Sequence, residues 1–145
     1  MTIVSSETLH ASCIAIGDLA VLIEGRSGAG KSDLALRLID RGAALVSDDY
    51  TVLMRAGRQL VATPPATITG KIEVRGLGIL EMPHRDRVPV ALLVELEDAI
   101  ERMPAELQTR RIAGIEVPVV ILNGHDASGP IKVELALKRI AEAGS

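Results

Sequence analysis

The chain has no tryptophan and no phenylalanine, and tyrosine occurs once, at Tyr50. An aromatic core is excluded, so the interior must be aliphatic, built from Leu, Ile, Val and Ala. Cysteine also occurs once, at Cys13. An internal disulfide is therefore impossible, and within an apolar segment Cys13 reads as a small core residue rather than a nucleophile. Positive charge is not in excess: the formal net charge is −3, which argues against bulk attraction to nucleic acid. No apolar run is long enough to span a bilayer. The N-terminus lacks a basic stretch followed by an apolar one, so no secretory signal is read and a cytoplasmic protein is expected. Repeats, low-complexity tracts and an Asn-Lys-x-Asp guanine-reading motif are all missing.

What remains is a chain of 145 residues, 48% hydrophobic, which suits one globular domain over residues 1–145. Its aliphatic richness leaves room for a subunit interface. The defining stretch is Gly25-Arg26-Ser27-Gly28-Ala29-Gly30-Lys31-Ser32, which fits the phosphate-loop pattern G-x-x-x-x-G-K-[ST]. Ala20 to Glu24 before it reads as a buried strand. After it Leu34, Ala35, Leu38 and Ile39 recur at helical spacing, and Gly42 is a helix stop. Glycines let the backbone turn its N–H groups inward around phosphate oxygens, and the helix start adds its positive end. Lys31 can reach the β- and γ-phosphates, and the Ser32 hydroxyl can hold Mg²⁺.

The other segments follow from pattern. Ser6 to Glu24 predicts two strands around a turn at Gly17-Asp18, with His10 just ahead of the first. Ala43 to Val46 predicts a strand parallel to the one feeding the loop, because a helix crossover joins them. It ends at Ser47-Asp48-Asp49, and carboxylates at such strand ends gather near the ligand. Neighbouring acids there point in different directions, so they need not share one task. An acid at this place can hold Mg²⁺ through water or accept a proton from an incoming hydroxyl, and the plainer alternative is a turn or helix cap. Thr51–Arg55 and Gln59–Ala62 predict a hairpin around Ala56-Gly57-Arg58. Val88–Leu96 predicts a further apolar strand. Glu97 to Arg111 reads as a polar connection in which Arg102, Arg110 or Arg111 could bind phosphate. Val117–Leu122 is the last predicted strand, and Ser128-Gly129-Pro130 opens a final helix.

Three features together resemble the catalytic domain of HPr kinase/phosphorylase. Leu9-His10 lies upstream of Gly25 at that family's spacing. Leu45-Val46-Ser47-Asp48-Asp49 is similar to its paired-aspartate strand. Ile72-Glu73-Val74-Arg75-Gly76-Leu77-Gly78-Ile79 is similar to its signature segment. The resemblance implies an α/β P-loop kinase domain of the HPr kinase and PEP carboxykinase-like type, with a central mixed sheet and flanking helices. It implies a kinase that uses ATP and Mg²⁺ to phosphorylate a serine of an HPr-like phosphocarrier protein, and a homo-oligomer, a hexamer in the family.

Residue by residue, the resemblance implies that Asp49 is the catalytic acid/base, supported by Asp48, and that His10 lies near the transferred phosphoryl group. It further implies that Glu73 is a Mg²⁺ ligand beside Ser32, and that Arg102 is a catalytic arginine. The N-terminal domain of long members is not expected here. The Pro-Gly-Arg-Asn loop linked to the reverse phosphorolysis is replaced by Val117 to Gly124, so forward transfer is the expectation and the reverse reaction stays open. Two other readings compete: a P-loop kinase of small molecules, whose arginine lid would be Arg102 to Arg111, and a nucleotide-binding regulator without transfer activity.

Overall fold

The computed structural model describes residues 5–104 and 106–143. Its strands are β1 (Ser6–Leu9), β2 (Ala11–Ile16), β3 (Leu19–Glu24), β4 (Ala44–Ser47), β5 (Thr51–Ala56), β6 (Gln59–Thr63), β7 (Lys71–Val74), β8 (Gly78–Glu81), β9 (Val88–Leu96), β10 (Gln108–Ile112) and β11 (Ile115–Leu122). The helices are α1 (Lys31–Asp40) and α2 (Gly129–Ala143). β3, LAVLIE, is apolar almost throughout because both of its faces are covered. Val21 and Ile23 point into one core layer and Ala20 and Leu22 into the other, as the two-residue period of a strand requires. The first layer receives Leu34 and Leu38 of α1 and Val133 and Leu137 of α2. Both helices thus lie on one face of the sheet. The second layer is closed by Leu53, Leu60, Ile112 and Val117, all from strands.

Nine strands form a mixed sheet whose main path runs β1-β5-β6-β9-β3-β2-β4, with β11 on β9 and β10 on β11. β3 and β11 both run parallel to β9, whereas β2 is antiparallel to β3 and to β4. β3 and β4 therefore share a direction, as the crossover helix predicts, but β2 lies between them. The parallel ends of β3 and β9 bring the phosphate loop and the chain after Leu96 to one rim. β7 and β8 form a separate hairpin. No helix among the described residues is long and apolar enough to cross a membrane.

Two expectations change. Residues 6–9 are not part of the β2–β3 hairpin: they form β1, which pairs with β5. The charge-rich stretch ending at Arg111 is not all connection, because Gln108–Ile112 is a strand paired antiparallel with β11. Its turn is Ala113-Gly114, with φ of 47° and 85°. Alanine seldom takes the left-handed conformation that such a two-residue turn requires, so the sequence carried a weak hairpin signal. The Ala113 N–H is held by Glu7 Oε2 at 2.5 Å.

Candidate active site

The phosphate loop leaves β3 at Glu24 and enters α1 at Lys31. Gly28 and Gly30 take φ of 85° and 97°, the left-handed region where a side chain is strained. A Cβ on Gly25 would stand 3.0 Å from Ala29 and Leu96. Gly124, on the loop between β11 and α2, packs still closer: a Cβ there would stand 2.3 Å from the Ala29 carbonyl. Arg37 of α1 holds that second loop by donating to the carbonyls of Gly124 and of Asp126, the latter at 2.8 Å. Lys31 is buried, and its Nζ donates to the carbonyls of Gly25 at 2.7 Å and Arg26 at 3.3 Å. To engage a phosphate it exchanges these neutral acceptors for charged oxygens, which bind an ammonium more strongly.

The aspartates at the end of β4 diverge. Asp48 turns inward and is 6% exposed. Its Oδ1 accepts from Ser32 Oγ at 2.7 Å and Ser12 Oγ at 3.0 Å, and its Oδ2 accepts from the Glu73 N–H at 3.0 Å. Asp49 turns outward at φ 68°. The Tyr50 N–H donates to the Asp48 carbonyl at 2.8 Å, closing a tight turn around it. Asp49 Oδ1 meets His10 Nε2 at 2.7 Å. The His10 ring stacks on Tyr50 with centroids 4.9 Å apart. His10 thus has an acid on one nitrogen and an aromatic face beside its ring.

Two cavities flank the loop. One, of about 730 Å³, is lined by loop residues 27, 28 and 30–32 together with His10, Asp49, Glu73, Arg75 and His125. The other, of about 710 Å³, is lined by Glu24, Glu95, Glu97 and Asp98 with Arg26, and it shares His10. Arg26 pairs with Asp98, and Arg110 with Glu24 and Glu95. Four carboxylates against two arginines still leave this second lining net negative and unfavourable to phosphate, whereas Lys31, the loop amides and the α1 N-terminus attract it. The first cavity is the one suited to a nucleotide tail, and its size is that of a small-molecule site.

For a divalent cation the first cavity offers the Ser32 hydroxyl and the Glu73 carboxylate, with Asp48 bonded behind Ser32. These are hard oxygen donors, the set Mg²⁺ prefers. No cluster of three or more His, Cys, Asp or Glu side chains among the described residues is placed to cage a metal.

His10, Lys31, Ser32, Asp49 and Glu73 therefore converge on one cavity, with Asp48 as the buried link among three of the segments. Arg102 does not join them: it is exposed on the connection after β9 and lines neither cavity. Arg110 is not free for phosphate. It forms a fork with Glu24 at 2.5 Å on both nitrogens and reaches Glu95 at 3.5 Å. The bond to Glu24 raises its pKa above the ordinary arginine value. Arg111 faces Glu116 at 3.7 Å. Burial pushes the Cys13 thiol far above its ordinary range, as expected of an inert core residue.

Three site residues escape a reading by motif. Ser12 had a signal: it is a hydroxyl in the middle of a strand buried on both faces, where a polar group needs a partner. Tyr50 had a weaker one as the only aromatic residue, next to the paired acids. His125 had none, because only the packing of Gly124 on the loop brings it there.

Comparison with known proteins gives the family. Residues 2–140 match the model of the HPr Serine kinase C-terminal domain. HPr kinase/phosphorylase of Chlorobium phaeobacteroides (strain DSM 266) is 37% identical over 127 residues, covering 78% of this chain and 39% of its own length. The enzyme of the same name from Chlorobaculum tepidum is 37% identical, covering 78% of this chain and 37% of its own. The chain thus spans less than two fifths of the length of these relatives. Among solved structures, the Hpr(Ser) kinase/phosphatase from Coxiella burnetii superposes with a TM-score of 0.81 at 30% identity, over 95% of this chain and 93% of that one. A phosphate loop facing an aspartate–histidine contact, on a sheet shared with that enzyme and under a family match over nearly the whole chain, leads to one statement: the chain belongs to the HPr serine kinase C-terminal domain family.

Proposed function

We propose that the chain is an ATP-dependent protein kinase that phosphorylates a serine hydroxyl of an HPr-like phosphocarrier protein. The observation that carries this reading is the 2.7 Å contact of Asp49 with His10 in the same cavity as Lys31 and Ser32. A binding protein needs the loop; a kinase also needs a base poised across from it.

The residues divide the work. Loop amides and Lys31 hold the β- and γ-phosphates. Ser32 and Glu73 would hold Mg²⁺, which when bound neutralises charge on the β- and γ-oxygens. Asp49 accepts the proton of the attacking serine hydroxyl as its oxygen bonds to the γ-phosphorus and the bond to the β,γ-bridging oxygen breaks. His10 orients the Asp49 carboxylate. We extend the reading to a homo-oligomer, as the family resemblance implies, and to a cytoplasmic location, and assign Arg102 no part in the transfer.

The test is incubation with Mg²⁺, γ-labelled ATP and purified HPr proteins, with mass mapping of the product. A phosphoserine on HPr is expected, and Asp49→Asn is expected to abolish transfer while retaining ATP binding. Label appearing only in a panel of metabolites would make the chain a small-molecule kinase. ATP binding with no transfer even in a single turnover would make it a regulator.

A further inference from the structure

Ser12 is completely buried in a strand whose other central residues are Cys13, Ile14 and Ala15. An apolar side chain would fill such a position without burying a hydroxyl. The hydroxyl here is used in both directions. It donates to Asp48 Oδ1 at 3.0 Å and accepts the Asp49 N–H at 3.2 Å. Asp49 is also the residue with the left-handed backbone, φ 68°, a conformation that persists where its surroundings fix it. One unbroken series of hydrogen bonds results: Asp49 N–H to Ser12, Ser12 to Asp48, and Ser32 and the Glu73 N–H to the same carboxylate.

We propose that Ser12 is a positioning residue that locks the turn between the two aspartates. The acid tied to the phosphate loop and the acid tied to His10 then keep a fixed relative placement. Ser12 lines neither cavity, so it acts through Asp48 and Asp49 rather than on the substrate. Its kinetic consequence rests on the phosphotransfer reading above; its structural consequence does not.

Two measurements on the full chain separate these. In the first, amide hydrogen exchange at Asp49 is compared in wild type, Ser12→Ala and Ser12→Thr. Loss of the acceptor should speed exchange roughly tenfold in Ser12→Ala, and Ser12→Thr, which restores the hydroxyl, should return it toward wild type. In the second, HPr phosphorylation is followed. Ser12→Ala should lower kcat about tenfold, with the KM for ATP and the Kd of a fluorescent nucleotide changed by less than about threefold. Ser12→Thr should recover most of the loss. Unchanged Asp49 exchange in Ser12→Ala overturns the proposal. So does a Ser12→Thr variant as impaired as Ser12→Ala at equal thermal stability, because the hydroxyl is then irrelevant. If wild type transfers no phosphate, the kinase reading fails, and the exchange comparison alone decides the role of Ser12.

Discussion

Replacing Asp48 by alanine gives opposite signs of stability change under two physical readings. If Asp48 is chiefly a charge crowded against Asp49, its removal relieves repulsion and stabilises the fold. Asp49 is more than half exposed, so water screens that term to about 1 kcal/mol. If Asp48 is chiefly an acceptor, its removal strands donors. It accepts three hydrogen bonds, each worth about 1.5–3 kcal/mol when the acceptor is charged. They do not all count fully: Ser32 lies at the cavity and can turn to water, whereas Ser12 is sealed in the core. Offsetting the lost bonds by partial resolvation and relieved repulsion leaves a net loss of about 2–4 kcal/mol. Asp48→Asn keeps one oxygen but turns an amide nitrogen toward a donor, so it should lose less, about 1–2 kcal/mol. Urea unfolding followed by far-UV circular dichroism measures both. A variant Asp48→Ala as stable as wild type, or more so, would refute the account of Asp48 as the link holding β2, α1 and β7 together.

Other perturbations follow from the same geometry. Lys31→Ala should weaken nucleotide binding by at least about tenfold, since a charge-assisted phosphate contact is lost, while far-UV circular dichroism stays native; calorimetric titration with ATP checks it. Arg110→Ala should destabilise by about 1–2 kcal/mol, because Glu24 and Glu95 are left facing each other without a cation; nucleotide affinity close to wild type would confirm that this arginine serves the sheet. Cys13 is neutral in the folded chain well past the pH at which an exposed thiol ionises. Its contribution is therefore fully present below the unfolded value of 9.0 and declines above it, by about 1.4 kcal/mol per pH unit. Stability measured from pH 8 to 10 should fall less steeply in Cys13→Ala, and native wild type should resist thiol reagents until it unfolds.

Legibility from sequence followed the range of the interactions. β3, the phosphate loop and α1 are contiguous, and each has a local cause: an apolar run, glycines at turning points, an amphipathic stripe. β9 was legible for the same reason, since nine residues of nearly unbroken apolar character leave few alternatives. β10 was not, because Gln108-Thr109-Arg110-Arg111 carries no alternation of its own. It is a strand because β11 offers an edge and because Glu24 and Glu95 neutralise Arg110. In the site, Lys31 and Ser32 are legible from the loop motif and Asp48 and Asp49 from their place at the end of a strand, whereas His10 and Glu73 are singled out only by the family resemblance. The interior position of Asp48 and the stacking of Tyr50 on His10 needed the tight turn at Asp49, whose φ no sequence pattern states. His125 needed a loop more than ninety residues downstream to close against Gly30.

The contact between Gly124 and the Ala29 carbonyl bears on how this chain could be shortened or recombined. A piece ending before β11 would carry every residue of the nucleotide signature and still lack the backstop against which that signature is folded. Any larger residue at Gly124 would act as a wedge, spreading two segments that must lie flush. The signature is thus not a portable unit: it is folded against a loop from the far end of the polypeptide.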